Sequence, residues 1–331
     1  MPSDLAAFWQ MAATDLPVII VGGGRWGRTW ASVVAAARGS GRGITIAART
    51  DPDAVRAWAA ERRELAGICI AATLGEAMES GARPVVAIVA SRPRDHIRDV
   101  CEALQLGLDV LVEKPISVDA QGGQYLLEAA QETGRVLAIG TEFAYLPALH
   151  QLAGEIAKRR AGPLRLCLRW DDVAGEFRHG AVKARHAEVG LLSDLLPHAF
   201  SIFQAFAPRA DWRIVDASED RSRGRLEFAD DAGGRYEFLC DVAARGRKRI
   251  LKIERDAFNA MLDFGEAAPS IRIEGRRCAV DPQFAAMSST LRLELGAFLA
   301  AVTHSIDTTF IISGMPVLLA LQGQLERKIH A

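Results

Sequence analysis

Lysine, aspartate and histidine stand in two short motifs whose residue types and spacing suit catalysis. Lys114 belongs to the triplet Glu113-Lys114-Pro115, and its ammonium group could bond to a substrate oxygen and hold positive charge beside it. Asp194 and His198 lie four residues apart, so on a helix they share one face. Because an imidazole exchanges protons near neutral pH, this pair suits general acid–base catalysis.

Each of these residues also has an interpretation that involves no chemistry. Lys114 could be a surface lysine ahead of a helix that begins at a proline. Asp194 could cap the N-terminus of its helix, with Pro197 in the first turn, and His198 could be a core histidine on a leucine-rich helix. Position and spacing alone leave both interpretations open.

A glycine-rich turn of the form GxGxxG spans residues 22–27, between a predicted strand at 18–21 and a predicted helix at 26–38. The first glycine would form the tight turn, the second would let the backbone approach a pyrophosphate, and the third would let the helix pack on the strand. The helix N-terminus adds N–H groups and positive potential. The turn therefore predicts dinucleotide binding, with a plain strand-to-helix turn as the alternative. The predicted contacts are Gly22, Gly24, Arg25, Trp26 and Gly27.

The end of the second predicted strand should contact the ribose next to the adenine. An acidic side chain there binds the 2′-hydroxyl of NAD, whereas an arginine accommodates the 2′-phosphate of NADP. Arg49 and Thr50 follow this strand and could hold a phosphate through a guanidinium fork and a hydroxyl, and no carboxylate occurs before Asp51. We therefore predict NADP, with NAD as the alternative. In that alternative, Arg49 lies on the surface and Asp51 caps the helix that begins at Pro52.

The elements that must position these residues alternate over the first 140 residues. Short apolar runs predict buried strands at 18–21, 44–48, 68–71, 85–90, 109–112 and 136–139, with helices at 26–38, 53–63, 94–106 and 120–133. This alternation predicts a doubly wound parallel sheet, an α/β Rossmann domain over residues 1–141. Lys114 then follows the carboxyl end of the fifth strand, which faces the ligand crevice in such sheets.

The second half of the chain predicts a different α/β domain over residues 142–331. Segments of alternating polarity at 165–171, 212–217, 224–228, 235–242, 250–255 and 260–264 predict an open, mostly antiparallel sheet with one solvated face. A helix at 193–206 interrupts these strands, and helices at 289–305 and 316–330 follow them. Asp194 and His198 therefore lie near the start of the interrupting helix.

Composition argues against several classes of protein. The 331 residues carry a formal net charge of −1, unlike most nucleic-acid-binding proteins. The five cysteines are dispersed without CxxC spacing, so we expect neither a disulfide framework nor a metal site. The N-terminus lacks the basic start of a signal peptide, and no apolar run reaches the ~18 residues of a membrane span. We therefore expect a cytoplasmic protein without nucleic-acid or membrane partners.

Taken together, these motifs resemble the Gfo/Idh/MocA family, named after glucose–fructose oxidoreductase, inositol dehydrogenase and a rhizopine-catabolism protein. The resemblance covers nearly the whole chain. Its most specific mark is the Glu113-Lys114-Pro115 triplet, about 90 residues after the glycine turn, with Asp194 and His198 following in the expected order. Further marks after the apolar run at 85–90 are Ser91, Arg92, Pro93 and His96.

The resemblance implies a reaction and a set of roles. Hydride would move between a nicotinamide and a carbon of a small-molecule substrate, in an active site between a Rossmann domain and a second domain whose sheet often forms a dimer interface. A homo-oligomer, either a dimer or a tetramer, is therefore expected. Lys114 would orient substrate and cofactor, His198 would be the general acid or base, and Asp194 would bind substrate or assist His198. The cofactor contacts that it implies beyond the glycine turn are Ser91, Arg92, Pro93, His96, Glu113 and Lys114.

Departures from the family pattern bear on the substrate. Many members carry an asparagine and an arginine or tyrosine near the start of the second domain, where residues 141–147 of this chain read TEFAYLP. The segment 177–186, which approaches the substrate in the family, is unusually basic here. It could bind an anionic substrate, with a solvated loop as the alternative. Its basic residues are Lys183, Arg185 and His186, next to Arg178 and His179.

Three functions fit these observations. The first is an NADP-dependent dehydrogenase or reductase acting on the C–OH or C=O carbon of a sugar, polyol or similar polar metabolite. The second is an NADPH-dependent reductase of C=N bonds in a biosynthetic pathway, but such relatives tend to lack the lysine triplet that this chain keeps. The third is a cofactor-sensing regulator without turnover, which has no need of Lys114 or His198. The sequence therefore favours the first function.

Overall fold

The computed structural model describes residues 2–79, 86–159, 162–178, 181–182, 188–256, 258–265, 268–280, 289–303 and 309–329. The chain divides into two compact units. The first unit comprises residues 3–140 and 291–315, and the second comprises residues 141–290 and 316–331 together with the first two residues. Each unit is built on its own sheet.

A six-stranded parallel sheet forms the first unit. Its strands are β1 Val18–Val21, β2 Ile44–Ala47, β3 Cys69–Ala71, β4 Val86–Val89, β5 Asp109–Val112 and β6 Leu137–Ile139. They lie in the order β3-β2-β1-β4-β5-β6, and all neighbours are parallel. This confirms the predicted doubly wound Rossmann fold. Strand order reverses between β1 and β4, and sheets of this kind bind ligands outside the carboxyl ends of the strands at that point.

Helices connect these strands because the intervening segments carry apolar residues on one face. In helix α2, Arg25–Arg38, four apolar residues recur at helical spacing and are fully buried: Trp30, Ala31, Val34 and Ala35. The first and fourth helices lie outside the predicted elements, and the fourth has only six residues, too few for a periodicity signal. The helices are α1 Pro2–Met11, α2 Arg25–Arg38, α3 Pro52–Ala60, α4 Leu74–Glu79, α5 His96–Gln105 and α6 Ala120–Thr133.

One C-terminal segment returns to the first unit. Helix α9, Thr290–Val302, buries Leu295, Phe298 and Leu299 in the apolar cluster that also contains Val34 of α2. Residues 291–315 therefore belong to the first unit, whereas the sequence-based division after residue 141 places them in the second domain. The apolar face of a helix shows that it is buried but does not reveal which of two cores it joins.

An eight-stranded sheet forms the second unit, in the order β10-β11-β12-β7-β13-β14-β15-β16. Of its neighbouring strand pairs only β12 and β7 are parallel, which confirms the predicted, mostly antiparallel sheet. A short pair, β8 Phe177–Arg178 and β9 Ala181–Val182, stands apart from it. The eight strands are β7 Arg165–Val173, β10 Trp212–Glu219, β11 Arg223–Asp230, β12 Arg235–Ala244, β13 Lys248–Arg255, β14 Phe258–Asp263, β15 Ser270–Ile273 and β16 Arg276–Cys278.

Alternation along the strands gives this sheet one buried face. In β7, Leu166, Leu168 and Trp170 are buried, and the two residues between them are half-buried. Helix α8, which carries Asp194 and His198, is buried along most of its length and contacts β11. The helices of the unit are α7 Pro147–Ala157, α8 Leu191–Gln204 and the greater part of α10 Thr309–Ile329.

Candidate active site

The glycine turn at residues 22–27 leaves no room for a side chain at three of its positions, Gly22, Gly23 and Gly27. Gly22 has a φ of +114°, and a Cβ there would lie 2.9 Å from the carbonyl oxygen of Ala90. A Cβ on Gly27 would overlap the carbonyl of Gly22, because α2 begins so close to the turn. A Cβ on Gly24, in contrast, would meet nothing within 4 Å. The described residues therefore leave space for a ligand to approach the backbone at Gly24.

The N-terminus of α2 has the features of an anion site. Gly24 is its N-cap residue, and no side chain among the described residues caps the helix. Its first-turn N–H groups and the helix dipole therefore suit a phosphate. The Arg25 guanidinium lies 5.6 Å from the centre of the Trp26 ring. Arg28, which the sequence-based prediction did not include, donates from Nε to the carbonyl of Gly23 at 3.1 Å and holds the turn.

Arg49 lies just after β2 and is tethered to α5. Its Nη2 is 3.0 Å from Oδ1 of Asp99, and 45% of its side chain is exposed. Burial alone would raise the pKa of Asp99, but hydrogen bonds from its neighbours, Arg98 and Arg49 among them, hold that pKa below its ordinary value. Asp99 is therefore a charged anchor that fixes the direction of the Arg49 side chain.

Asp51 caps helix α3. Its φ is +53°, and its carboxylate accepts a hydrogen bond from the N–H of Ala54 at 3.0 Å, with Pro52 at the start of the helix. This confirms the helix-cap interpretation of Asp51, and Thr50 lies exposed beside it. The first carboxylate after β2 is therefore engaged by its own helix rather than placed at the end of the strand.

His96 joins two loops at the carboxyl ends of β4 and β5. It is buried, with Nδ1 2.9 Å from the carbonyl oxygen of Pro115 and Nε2 3.1 Å from that of Ser91. Burial lowers the pKa of His96 below its ordinary 6.5, although both carbonyls favour the charged ring. The stretch from Ser91 through Arg92 to Pro93, which begins a 3₁₀ turn, is thereby fixed to the segment that follows Lys114.

Glu113 is buried directly after β5, next to Lys114. The indole N–H of Trp30 on α2 donates to Glu113 Oε1 at 2.7 Å, and a Cβ on Gly140 would lie 3.3 Å from Oε2. Burial raises the pKa of Glu113 and outweighs the opposing effects of Trp30 and Lys114. Lys114 itself is half-buried, and its bond to Pro115 is cis. The predicted catalytic lysine therefore follows a buried residue that a hydrogen bond from α2 holds in place.

In the second unit, a side chain from β10 caps the helix that carries Asp194 and His198. Glu219 accepts a hydrogen bond from the N–H of Leu192 at 2.6 Å. The N-cap residue of α8 is Gly190, where a Cβ would lie 3.0 Å from Glu219 Oε1. The interpretation of Asp194 as the N-cap is therefore wrong. It lies half-buried in the first turn, and Glu219 supplies the cap.

His198 is buried against aromatic rings, one helical turn after Asp194. It stacks on the indole of Trp170, with ring centroids 5.2 Å apart and planes inclined by 13°. Phe143 meets it edge-on at 5.0 Å. The sequence-based prediction included neither ring, although Phe143 lies in the stretch 141–147 that departs from the family pattern. The two rings come from strand β7 and from the 3₁₀ turn Glu142–Tyr145, which contacts α8, so no local motif indicates them.

The predicted substrate residues Lys183, Arg185 and His186 lie outside the described residues, as does His179 beside them. The prediction of an anionic substrate therefore stays a prediction. Among the described residues, no group of histidine, cysteine, aspartate and glutamate side chains could hold a metal ion. The described helices also include none that is long and apolar enough to cross a membrane.

Sequence comparison identifies the class of protein. Residues 16–141 match the model of the Gfo/Idh/MocA family, described as an oxidoreductase family with an NAD-binding Rossmann fold. The glycine turn, His96, Glu113 and Lys114 all lie within the matched range. The first unit is therefore built on the NAD-binding domain of an oxidoreductase family.

Similar proteins agree with this class. The rhizopine catabolism protein MocA of Rhizobium meliloti is 34% identical over 165 residues, which cover 48% of this chain and about half, 49%, of that relative. Among solved structures, UDP-N-acetylglucosamine 3-dehydrogenase from Acidithiobacillus ferrooxidans has a TM-score of 0.71 at 20% identity, covering 94% of this chain and 97% of its own. A 3-ketoreductase from Actinomadura kijaniata has a TM-score of 0.70 at 15% identity, with coverage of 96% and 97%. The two structures show a shared fold. Over residues 16–141 this chain is therefore similar to the NAD-binding domain of the Gfo/Idh/MocA oxidoreductases, and it spans about half the length of the curated relative that it matches.

Proposed function

We propose that this chain is an NADP-dependent oxidoreductase that transfers hydride between the nicotinamide and the C–OH or C=O carbon of a sugar, polyol or similar polar metabolite. The observation that carries the proposal is the position of Lys114. It directly follows Glu113 after β5 of an NAD-binding fold, where such sheets place residues that contact ligands. A protein that only senses a cofactor has no need of an ammonium group at that point.

The relatives support a sugar-like substrate. One neighbour is a UDP-N-acetylglucosamine 3-dehydrogenase, and another is a 3-ketoreductase solved with TDP-benzene and NADP. A third, from gentamicin A biosynthesis, was solved with NAD. The first two names describe the two directions of one interconversion, between an alcohol and a ketone. Because these structures are at most 20% identical to this chain, we carry over the reaction class and not the substrate.

The residues of this chain would supply positioning and proton transfer. A nicotinamide, when bound, supplies or accepts the hydride. The space beside Gly24 and the uncapped first turn of α2 fit a pyrophosphate. Lys114 would donate a hydrogen bond to the substrate oxygen and stabilise negative charge on it. His198 would take the hydroxyl proton in oxidation or return it in reduction, and Asp194 would bind substrate or orient His198.

The choice of NADP over NAD rests on Arg49 and Thr50. Arg49 is exposed after β2, and Asp99 fixes its direction. A guanidinium in that place suits a 2′-phosphate.

Substitution of Arg49 tests this preference. We expect Arg49→Ala to weaken NADPH binding by about 10–100-fold, the value of a hydrogen bond to a charged group, and to leave NADH binding unchanged. Arg56→Ala is the control, because Arg56 is an exposed arginine on α3 that pairs with Asp53. Dissociation constants come from fluorescence titration. Equal affinity of the wild type for NADPH and NADH would refute the NADP preference and leave the reaction class untouched.

Turnover tests the reaction class. The full chain is assayed with NADP⁺ and NAD⁺ against myo-inositol, free aldoses and UDP-N-acetylglucosamine, and with the reduced cofactors against aldehydes, ketones and cyclic imines. We expect alcohol–ketone turnover that Lys114→Ala lowers strongly. Turnover of cyclic imines alone would make the chain an imine reductase. Cofactor binding without turnover of any compound would favour a regulator.

We also propose a homo-oligomer formed through the solvated face of the eight-stranded sheet. Arg225 on that face bonds to Glu237 at 2.9 Å and to Asp216 at 3.0 Å, so both signs of charge alternate across neighbouring strands. Such a mixed face can complement its own copy across a two-fold axis. Sedimentation equilibrium of the purified chain measures the assembly, and a monomer at micromolar concentration would contradict the proposal.

A further inference from the structure

The plane of the His198 ring is set by two aromatic side chains that the proposed mechanism does not use. The indole of Trp170 lies nearly parallel to the imidazole. Phe143 stands perpendicular to both rings, at 86° to Trp170 and 87° to His198, with centroids 5.1 and 5.0 Å away. A parallel ring and a perpendicular ring together leave the imidazole little freedom to rotate about its Cβ–Cγ bond.

Trp170 is itself held by its own sheet. Arg249, its cross-strand neighbour on β13, places its guanidinium carbon 3.6 Å from the centre of the indole. Arg249 is 2% exposed, and it donates hydrogen bonds to the carbonyl of Asp171 at 2.7 Å and to the carboxylate of Asp172. The rings of Phe264 and Trp170 pack in a T-shaped arrangement with their centroids 6.4 Å apart. The indole is therefore clamped by a buried cation whose charge a neighbouring carboxylate neutralises.

Hydrogen bonding among the described residues does not account for a tryptophan at this position. The buried Nε1 of Trp170 has no acceptor in the described part of the chain. A buried N–H without a partner is unfavourable, and phenylalanine would avoid it. The flat face of the indole, rather than its N–H, is thus the property that the surrounding contacts use.

We propose that Trp170 is a positioning residue for proton transfer, its indole, clamped by Arg249, fixing the plane of the His198 imidazole. The inference rests on the proposed function of His198 as general acid or base. Proton transfer needs a ring nitrogen within hydrogen-bond reach of the substrate oxygen, and a misplacement of about 1 Å can lower a rate about 100-fold. Aromatic faces suit the task because they restrain a ring without occupying its nitrogens.

Four single variants separate positioning from stability. Trp170→Ala removes the stack, whereas Trp170→Phe keeps an aromatic ring and breaks no hydrogen bond to a described residue. Trp212 provides the matched control, because it is similarly buried and packs edge-on at 5.7 Å against Phe200 of the same helix α8. Trp212→Ala and Trp212→Phe therefore remove similar apolar contacts from α8 without removing a ring that His198 touches.

The kinetic arm uses whichever compound of the panel above the wild type turns over. We expect Trp170→Ala to lower kcat about 10–100-fold, to change KM much less and to alter the pH dependence of kcat. Trp170→Phe should restore most of kcat. The Trp212 variants should lower the melting temperature without changing kcat or its pH profile. Equal losses of kcat in the Trp170 and Trp212 variants would reduce Trp170 to a structural residue and overturn the inference.

A spectroscopic arm needs no substrate. Nuclear magnetic resonance of the full chain with isotope-labelled histidine reports the ring protons of His198, assigned by their loss in His198→Gln. A stacked indole should shift them upfield, Trp170→Ala should remove that shift and Trp212→Ala should keep it. Unshifted His198 signals in the wild type would refute the stack. If His198→Gln retains full kcat, the acid–base proposal fails; if it abolishes kcat while Trp170→Ala does not lower it, only this inference fails.

Discussion

His96 and His198 are both buried, but the two units surround them differently. The ring nitrogens of His96 lie against the carbonyls of Ser91 and Pro115, at 3.1 and 2.9 Å, whereas His198 lies against the rings of Trp170 and Phe143. Carbonyl contacts occupy ring nitrogens and tie loops together. Ring contacts restrain the plane of an imidazole through its faces and edges. The two buried histidines thus differ in the described contacts that hold their rings, a difference that residue type and burial do not reveal.

The same contrast extends beyond the two histidines. In the first unit, polar tethers such as Trp30 to Glu113 and Arg28 to Gly23 hold backbone segments. Folds of this kind bind a dinucleotide through backbone N–H groups at the turn and the helix N-terminus, so the position of the backbone would matter there. In the second unit, the ring of Trp170 holds a side chain. Under the proposed function, each unit therefore fixes the part of the chain that its own chemistry would use.

The largest expected effect distinguishes the two histidines by catalysis. We expect His198→Asn to lower kcat by about 10²–10⁴-fold, the usual contribution of a general acid or base, and to remove one limb of its pH profile. The dissociation constant of NADPH should not change. His96→Gln should leave the shape of the kcat–pH profile intact. Steady-state kinetics across pH measures both, and an equal loss of that limb in both variants would remove the distinction between them.

A smaller effect concerns stability and pH. His96→Gln breaks the bridge between two loops, and we expect it to lower the free energy of unfolding by about 1–3 kcal/mol near neutral pH. Burial lowers the pKa of His96 in the folded chain below 6.5, so the unfolded chain binds a proton first. The stability that His96 contributes is therefore complete above about pH 6.5 and declines as the pH falls below it.

Urea unfolding at a series of pH values measures this dependence. The stability gap between the wild type and His96→Gln should narrow as the pH falls below about 6.5, because glutamine does not titrate. A gap that widens toward low pH would show that the two carbonyls hold a charged ring. His96 would then be protonated in the folded chain and would bind the two carbonyls as a cation. The two histidines would in that case differ in the charge of His96 as well as in their contacts.

How much the sequence predicts depends on how local the determinants are. Gly22 needs a positive φ, and Lys114 follows directly on Glu113 after β5, so both were predictable from short motifs. Glu219 caps α8 from 27 residues beyond Leu192, and no pattern near α8 indicates it. Cross-strand register, visible only in the folded sheet, pairs Trp170 with the arginine that clamps it.

The same dependence on local determinants explains why the sequence predicts the strands of the first unit but not all of its hydrogen bonds. The alternation of strands and helices predicted the sheet, because buried parallel strands read as short apolar runs. The periodicity of α2 marks Trp30 as buried, but its hydrogen bond to Glu113 joins residues 83 positions apart. A local sequence pattern therefore predicts the helix or strand and which of its residues are buried. It does not predict which polar group a buried side chain bonds to, because that depends on the tertiary structure.

The smallest expected effect tests the polar tether at Glu113. Burial raises the pKa of Glu113 above its ordinary 4.5, so as the pH rises through that value the unfolded chain loses its proton first. Above that pH the wild type is therefore less stable than a variant that carries a neutral amide at position 113. Glu113→Gln keeps an oxygen for the Trp30 N–H. We therefore expect it to melt a few degrees higher than the wild type near pH 8, with the difference shrinking toward pH 5.

Thermal unfolding followed by circular dichroism measures this difference, with Glu128→Gln, at an exposed position on α6, as the control that should show no such trend. Trp30→Phe should act in the opposite direction, because it leaves the buried carboxyl group without its indole donor. If Glu113→Gln is instead less stable at every pH, the carboxylate is ionised in the folded chain and balanced by nearby positive charge. The first unit would then hold Lys114 through a charge pair, and the contrast with the aromatic wall of His198 would be sharper still.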